Sequence, residues 1–175
     1  MAYPVGGLSG RMPSRRIEIV RAHMDAENRK NVEETLTTFA RPRYEVVPTG
    51  EVHNDAASVS GFLLESFLAF PDIHLHEVAL HETAAGVVAE AEFRGTHGAM
   101  WRGLPPTRKP VRYKMCNLFL FEGDDLVCER LYFDVLTAMK QIGIARDPTT
   151  LGGRLTIAMN HPITLANAVL GSLLR

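Results

Sequence analysis

The chain has 175 residues, 46% of them hydrophobic, with 19 basic and 20 acidic side chains and a formal net charge of −1. That length suits one domain with a real core, and the balanced, interspersed charge gives no electrostatic reason to expect nucleic acid or an anionic membrane as a partner. No run approaches the roughly 20 apolar residues of a membrane-spanning helix, the N-terminus lacks a signal-like apolar run, and Cys116 and Cys128 do not make a disulfide framework. A cytoplasmic, reducing setting is the expectation.

Residues 1–14 are rich in Gly and Pro and read as an N-terminal arm. Ser14 is placed to cap a long helix whose apolar positions Ile17, Val20, Met24, Val32, Leu36 and Phe39 recur at helical spacing. Arg41-Pro42 ends it, because the residue before proline is pushed out of the helical region. Tyr44 to Val47 reads as a short strand. A second helix follows through Val59, Phe62, Leu63, Phe67 and Phe70, with Asp55 as a possible cap and Pro71 as the stop.

Four strands come next, near 73–82, 87–97, 110–121 and 126–134. In the first, Ile73 and Leu75 have opposite parity to Val78 and Leu80, which predicts a bulge near Glu77 and a bent sheet. Gly123-Asp124 reads as a two-residue hairpin turn. A short helix at 135–143, a polar link over 146–153 and a last helix from Pro162 complete the chain. Helices followed by antiparallel strands define an α+β fold. The expected division is an arm over 1–14, a domain over 15–145 and a C-terminal extension over 146–175.

Continuing the hairpin ladder without interruption places Asp134 opposite Tyr113, Tyr132 opposite Met115 and Arg130 opposite Asn117. Directly opposed residues share a face. One face then carries Asp134, Tyr132, Arg130, Tyr113, Met115, Asn117 and Phe119, and the other carries Leu118, Leu120, Leu131 and Phe133. Cover for this second apolar face is expected from a second copy of the chain, as a homodimer.

The most distinctive stretch is Phe93-Arg-Gly-Thr-His-Gly-Ala-Met-Trp-Arg-Gly-Leu-Pro-Pro-Thr-Arg-Lys-Pro-Val111, followed about twenty residues later by Leu131-Tyr-Phe-Asp134. With Phe70-Pro-Asp72 and Lys140-Gln-Ile-Gly143, these runs resemble the SnoaL-like polyketide cyclases of the NTF2-like superfamily. The likeness extends roughly from Arg15 to Gly143, with Arg108-Lys109 standing where Gly-Arg is usual. It implies an NTF2-like cone, a curved antiparallel sheet wrapped around the N-terminal helices, with the C-terminal helix as an addition or a plug. It also implies a cofactor-independent cyclase or isomerase acting on a small, apolar, oxygenated carbonyl compound.

Asp134 is the leading candidate for the general acid/base, because the matching acidic residue of these cyclases has that role. The competing reading is that Asp134 caps the helix starting at Val135. His97 either assists proton transfer or binds loop backbone. Trp101, on the loop after it, suits a lid or a pocket wall. Tyr113, Tyr132, Asn117, Met115, Arg130, His53 and Met24 are the remaining candidates for substrate contact, Met24 with a competing role in the core. His74-Leu-His76 with His81 lacks a further ligand, so no metal site is expected, and no nucleotide or acyl-enzyme motif is present. Epoxide hydrolysis through an Asp-Arg-Asp set, dehydration, and non-catalytic binding are the rival activities on the same scaffold.

Overall fold

The computed structural model describes residues 14–173; the arm expected over 1–14 lies outside them except for Ser14. Ser14 does cap α1 (Arg15–Asn28), its hydroxyl accepting from the Ile17 amide. The single long N-terminal helix is in fact two. Lys30 adopts a left-handed conformation (φ 58°), which ends the helix, and Asn31 caps α2 (Val32–Thr37) by accepting from the Glu34 amide at 3.1 Å.

Next come β1 (Tyr44–Val46), β2 (Glu51–His53), α3 (Ala56–Ala69), β3 (His74–Glu82), β4 (Gly86–Thr96), β5 (Pro110–Glu122) and β6 (Asp125–Phe133). The chain continues with α4 (Val135–Ile142), α5 (Leu151–Asn160) and α6 (Pro162–Leu173). The six strands form one sheet in the order β2-β1-β6-β5-β4-β3, antiparallel except for β1 beside β6. This is the NTF2-like, α+β arrangement. Two elements escape a reading by periodicity. Strand β2 is only three residues long. Helix α5 contains Gly152-Gly153, and Gly153 is required there because a Cβ would lie 1.7 Å from the Asp147 carbonyl oxygen.

The main core lies on the concave face. Val20 and Met24 of α1 and Val59 and Leu63 of α3 pack against Val87, Ala89 and Ala91 of β4, Phe119 of β5 and Leu131 of β6. Complete burial of each large apolar side chain contributes about 1.5–3 kcal/mol. Helix α6 has no buried residue, and neither α5 nor α6 reaches the cavity described below, so the C-terminal helix is not its plug.

The bend of the sheet arises from two bulges. The first falls between Glu77 and Ala79, where parity predicts it. The second lies in the β5–β6 hairpin. The turn pairs Glu122 with Asp125 as expected and Phe121 with Leu126, but the next pair is Leu120 with Cys128. Val127 is left without an opposite residue. Beyond it every pair is displaced by one: Phe119 faces Glu129, Asn117 faces Leu131 and Met115 faces Phe133.

A one-residue slip turns each side chain to the other face. On β6 the inward residues are therefore Glu129, Leu131 and Phe133. Arg130 and Tyr132 lie on the outer face and Asp134 follows the strand, which corrects the expected placement of all three.

Candidate functional site

Between the concave face, α1, α3 and the β4–β5 loop is a cavity of about 100 Å³. Its walls are apolar and largely aromatic, with Phe62, Phe67, Phe70, Phe93, Trp101 and Phe133 among them. Trp101, Tyr113 and Met115, expected to contact substrate, do line it. At the deep end it is bounded by Tyr44, Glu27 and Glu129, all buried.

These deep residues belong to one hydrogen-bonded cluster centred on His23. Helical spacing explains half of it: His23 and Glu27 are four residues apart on α1 and share a face. The parallel pairing of β1 with β6 explains the other half, because it makes Tyr44 and Glu129 register partners. His23 Nε2 lies 3.0 Å from Glu129 Oε2, 2.8 Å from the Tyr44 hydroxyl and 3.5 Å from Glu27 Oε1. Tyr44 donates to Glu27 Oε1 at 2.6 Å, and Asn117 Nδ2 donates to Glu129 Oε1 at 2.8 Å.

The partners fix the protons. The Thr38 hydroxyl donates to the Thr35 carbonyl at 2.7 Å, so it accepts from His23 Nδ1 at 2.7 Å. Tyr44 spends its hydrogen on Glu27, so its oxygen, like Glu129 Oε2, accepts from Nε2. Both ring nitrogens of His23 therefore donate, and the ring is an imidazolium. Burial by itself would lower its pKa, but the charge of Glu27 and the hydrogen bond to Glu129 outweigh burial and carry it to about 10.

Burial and the nearby Glu27 push the Glu129 carboxyl up, against the pull of His23. Burial, with both carboxylates, raises the Tyr44 phenol well above its usual range. One carboxylate atom is left over: Glu27 Oε2 is buried and has no hydrogen-bond partner among the described residues.

The same three side chains, His23, Glu27 and Glu129, are the one group among the described residues with ligand atoms close enough to hold a metal ion, all within 4.8 Å of one another. As arranged here they are joined by hydrogen bonds through His23 Nε2. His74 and His76 are exposed on β3, and His81 pairs with Glu90 at 3.1 Å, so these three histidines do not converge.

The other expected site residues are spread around the cavity. Asn117 reaches it only through Glu129, and Met24 is buried in the core. His53 lies outside, its ring 4.8 Å from that of Phe62. His97 is fully buried behind the wall, next to Phe70 and Trp101. Its Nδ1 accepts from the Thr107 amide at 3.3 Å, so its hydrogen is on Nε2, and burial lowers its pKa. His97 is a neutral support for the loop rather than a group in contact with a ligand.

Arg130 is ion-paired with Glu45 on the outer face, and Tyr132 is exposed there. Asp134 is outside the cavity and caps α4, accepting from the Thr137 amide at 3.1 Å and from its hydroxyl. These Thr137 hydrogen bonds lower its pKa, the opposite of what a cavity acid requires.

Comparison with known proteins agrees with this architecture. The family model for SnoaL-like polyketide cyclases matches residues 17–142, and the chain belongs to that family. No curated protein matches the sequence. Among solved structures, a candidate SnoaL-like polyketide cyclase from a Jannaschia species superposes with a TM-score of 0.69 at 18% identity, covering 79% of this chain and 100% of that one. IdmH, a candidate polyketide cyclase from Streptomyces antibioticus, gives 0.63 at 21% identity, covering 74% and 99%. A protein with a ketosteroid isomerase-like fold from Catenulispora acidiphila, solved with trimethylamine, gives 0.62 at 21% identity, covering 73% and 93%. At these identities the likeness is one of fold.

Proposed function

We propose that the chain is a cofactor-independent enzyme of the cyclase or isomerase kind, moving a proton at the carbon next to a carbonyl in a compact apolar substrate. The observation that carries this reading is the unpartnered Glu27 Oε2 at the deep end of an aromatic cavity. Glu27 takes the proton from the α-carbon, and the electrons of that bond pass into an enolate. The Tyr113 hydroxyl, in the cavity wall and without a protein partner among the described residues, donates to the enolate oxygen. Burial raises the Tyr113 pKa, which keeps the phenol protonated and able to donate. In an isomerase Glu27 returns the proton to another carbon. In a cyclase the enolate carbon bonds to a second carbonyl carbon, and the alkoxide formed takes the proton back. His23, Tyr44 and Glu129 hold Glu27 in position.

The test is α-hydrogen exchange of a compact ketone such as 1-indanone in D₂O, followed by NMR. The wild type exchanges faster than buffer. Glu27→Gln loses about 10²–10⁴-fold, the usual share of a general base, while Asp134→Asn keeps the wild-type rate. Exchange by Glu27→Gln at the wild-type rate would overturn the assignment.

The presence of two carboxylates at the cavity end favours a second reading, hydrolysis of an epoxide by a water that Glu27 deprotonates. The expected arginine is absent from that pair, with Arg130 on the outer face and His23 in between. Solvent ¹⁸O appearing in the product separates hydrolysis from isomerisation.

The homodimer is retained as a proposal, with a corrected face. Leu131 and Phe133 point inward, whereas Leu118 and Leu120 of β5 alternate with the buried Phe119 and so face outward, Leu118 between Val88 and Arg130.

A further inference from the structure

Three charged side chains line the cavity: Glu27 and Glu129 at the buried end, and Arg102, half-buried in the β4–β5 loop. Arg102 is thus the only cation that a ligand in the cavity can meet directly, among the described residues. Its guanidinium is already engaged. Both terminal nitrogens donate to the two carboxylate oxygens of Glu51 on β2, and Cζ lies 5.8 Å from the centroid of the Trp101 ring. A forked pair of this kind satisfies both charges and both sets of hydrogen bonds. The backbone holds Arg102 in place as well. Trp101 and Leu104 exchange hydrogen bonds of 3.0 and 2.8 Å around a tight turn in which Arg102 and Gly103 both have positive φ. The Arg102 amide also donates to Glu65 of α3 at 3.3 Å.

We propose that the Glu51–Arg102 pair determines the specificity of the cavity, masking its only cationic side chain so that uncharged ligands are admitted and anionic ones refused. This rests on the cavity being the ligand site, as in the function proposed above, and it narrows the substrate class to neutral compounds. A carboxylate, sulfonate or phosphate entering the cavity would approach Glu27 and Glu129 in a poorly screened, apolar space. Like charges brought together there cost several kcal/mol. His23 neutralises only one of the two carboxylates and does not line the cavity, so the cluster stays net negative towards a ligand, and the cation that does line the cavity among the described residues is satisfied by Glu51. Glu51 is therefore a specificity residue that touches no ligand: it acts through Arg102.

The pair methyl 2-naphthoate and 2-naphthoate tests this, since the two share a skeleton and differ in charge. Binding is read by calorimetry and by quenching of Trp101, the only tryptophan in the chain. Wild type is expected to bind the ester at least about tenfold more tightly than the acid, a ratio worth about 1.4 kcal/mol. Glu51→Gln should strengthen binding of the acid about fivefold to tenfold and leave the ester almost unchanged, by analogy with other rim charges. Glu51→Gln with Arg102→Gln should return the ratio to its wild-type side.

Equal binding of both probes by wild type, or an unchanged ratio in Glu51→Gln, overturns the proposal and leaves the proton-transfer reading standing. Ester binding with the expected ratio but no α-hydrogen exchange leaves this proposal standing and removes the other. Failure of wild type to bind the ester overturns this proposal, while the proton-transfer reading is decided by exchange of 1-indanone.

Discussion

Thr38 sets the protonation of His23: its hydroxyl, committed as donor to a backbone carbonyl, leaves Nδ1 only the role of donor. With Tyr44 and Glu129 accepting from Nε2, this threonine outside the cavity helps to hold a positive charge between two buried carboxylates. Replacing Thr38 by Val keeps the volume and removes the acceptor. Nδ1 would then be a buried donor without a partner, a change that costs about 1–3 kcal/mol. Urea titration of the variant reads the loss, and the ¹⁵N shifts of the His23 ring read the change in proton occupancy.

The His23 charge also predicts a pH dependence. Its folded pKa, about 10, is above the unfolded value near 6.5. A group raised on folding contributes stability that is fully present below the unfolded pKa and is lost as pH rises through the folded one. The stability difference between wild type and His23→Gln should therefore be largest at pH 6 and diminish progressively towards pH 10. Breaking a buried ion pair from one side costs about 3–5 kcal/mol, so the low-pH difference should be of that order. A difference that grows with pH would contradict the imidazolium.

The proposed function moves the general base from Asp134 to Glu27, a residue the sequence reading did not single out, and the variants of the two should behave oppositely. Asp134→Ala removes the α4 cap, so its melting temperature should fall while α-hydrogen exchange is kept. Glu27→Gln should keep helicity and lose exchange. Circular dichroism and the NMR assay on the same two proteins separate these outcomes.

Deletion of Val127 tests the register. Without the extra residue Leu120 still faces Cys128 and Phe119 still faces Glu129, so Glu129, Leu131 and Phe133 stay inward and only the local bend is lost. The deletion variant should therefore fold, with lower stability, and keep α-hydrogen exchange. In an uninterrupted ladder the same deletion would turn every side chain beyond it to the other face. A deletion variant recovered only unfolded or aggregated would refute the bulge.

Light scattering at micromolar concentration should give twice the monomer mass. Leu118→Asp, placing a charge in the outer face, should give the monomer mass with unchanged circular dichroism. A monomeric wild type would remove the proposed dimer.

The contrast between the two bulges explains what could be read from the sequence. The one at Val78 was visible because apolar residues change parity across it. The one at Val127 was not, because Leu126, Val127 and Cys128 are apolar in succession and any register fits them. That single hidden residue exchanged Glu129 for Arg130 and misplaced Asp134, although the turn itself was right. The fold survived the error, since it depends on the order and length of the elements. The site did not, since it depends on which way alternate side chains point. One signal was available: His23 and Glu27 lie four apart on a helix that also carries Val20 and Met24, which marks two polar residues on the buried face. Glu129 gave no such sign, being a charge in a strand where Arg130 next to it fits solvent or cavity equally well.

The long loop between the partners of the His23–Glu129 hydrogen bond, 106 residues apart in sequence, has a consequence for how the protein is made. β6 enters the sheet between β1 and β5. Its backbone contacts with β1 close a large loop, the kind of non-local pairing that forms slowly. A chain emerging from the ribosome can build α1, α3 and the β3–β4 hairpin early, but His23 is without its Glu129 partner until β6 arrives. Acquisition of the imidazolium signal during refolding would therefore mark the final step of assembly.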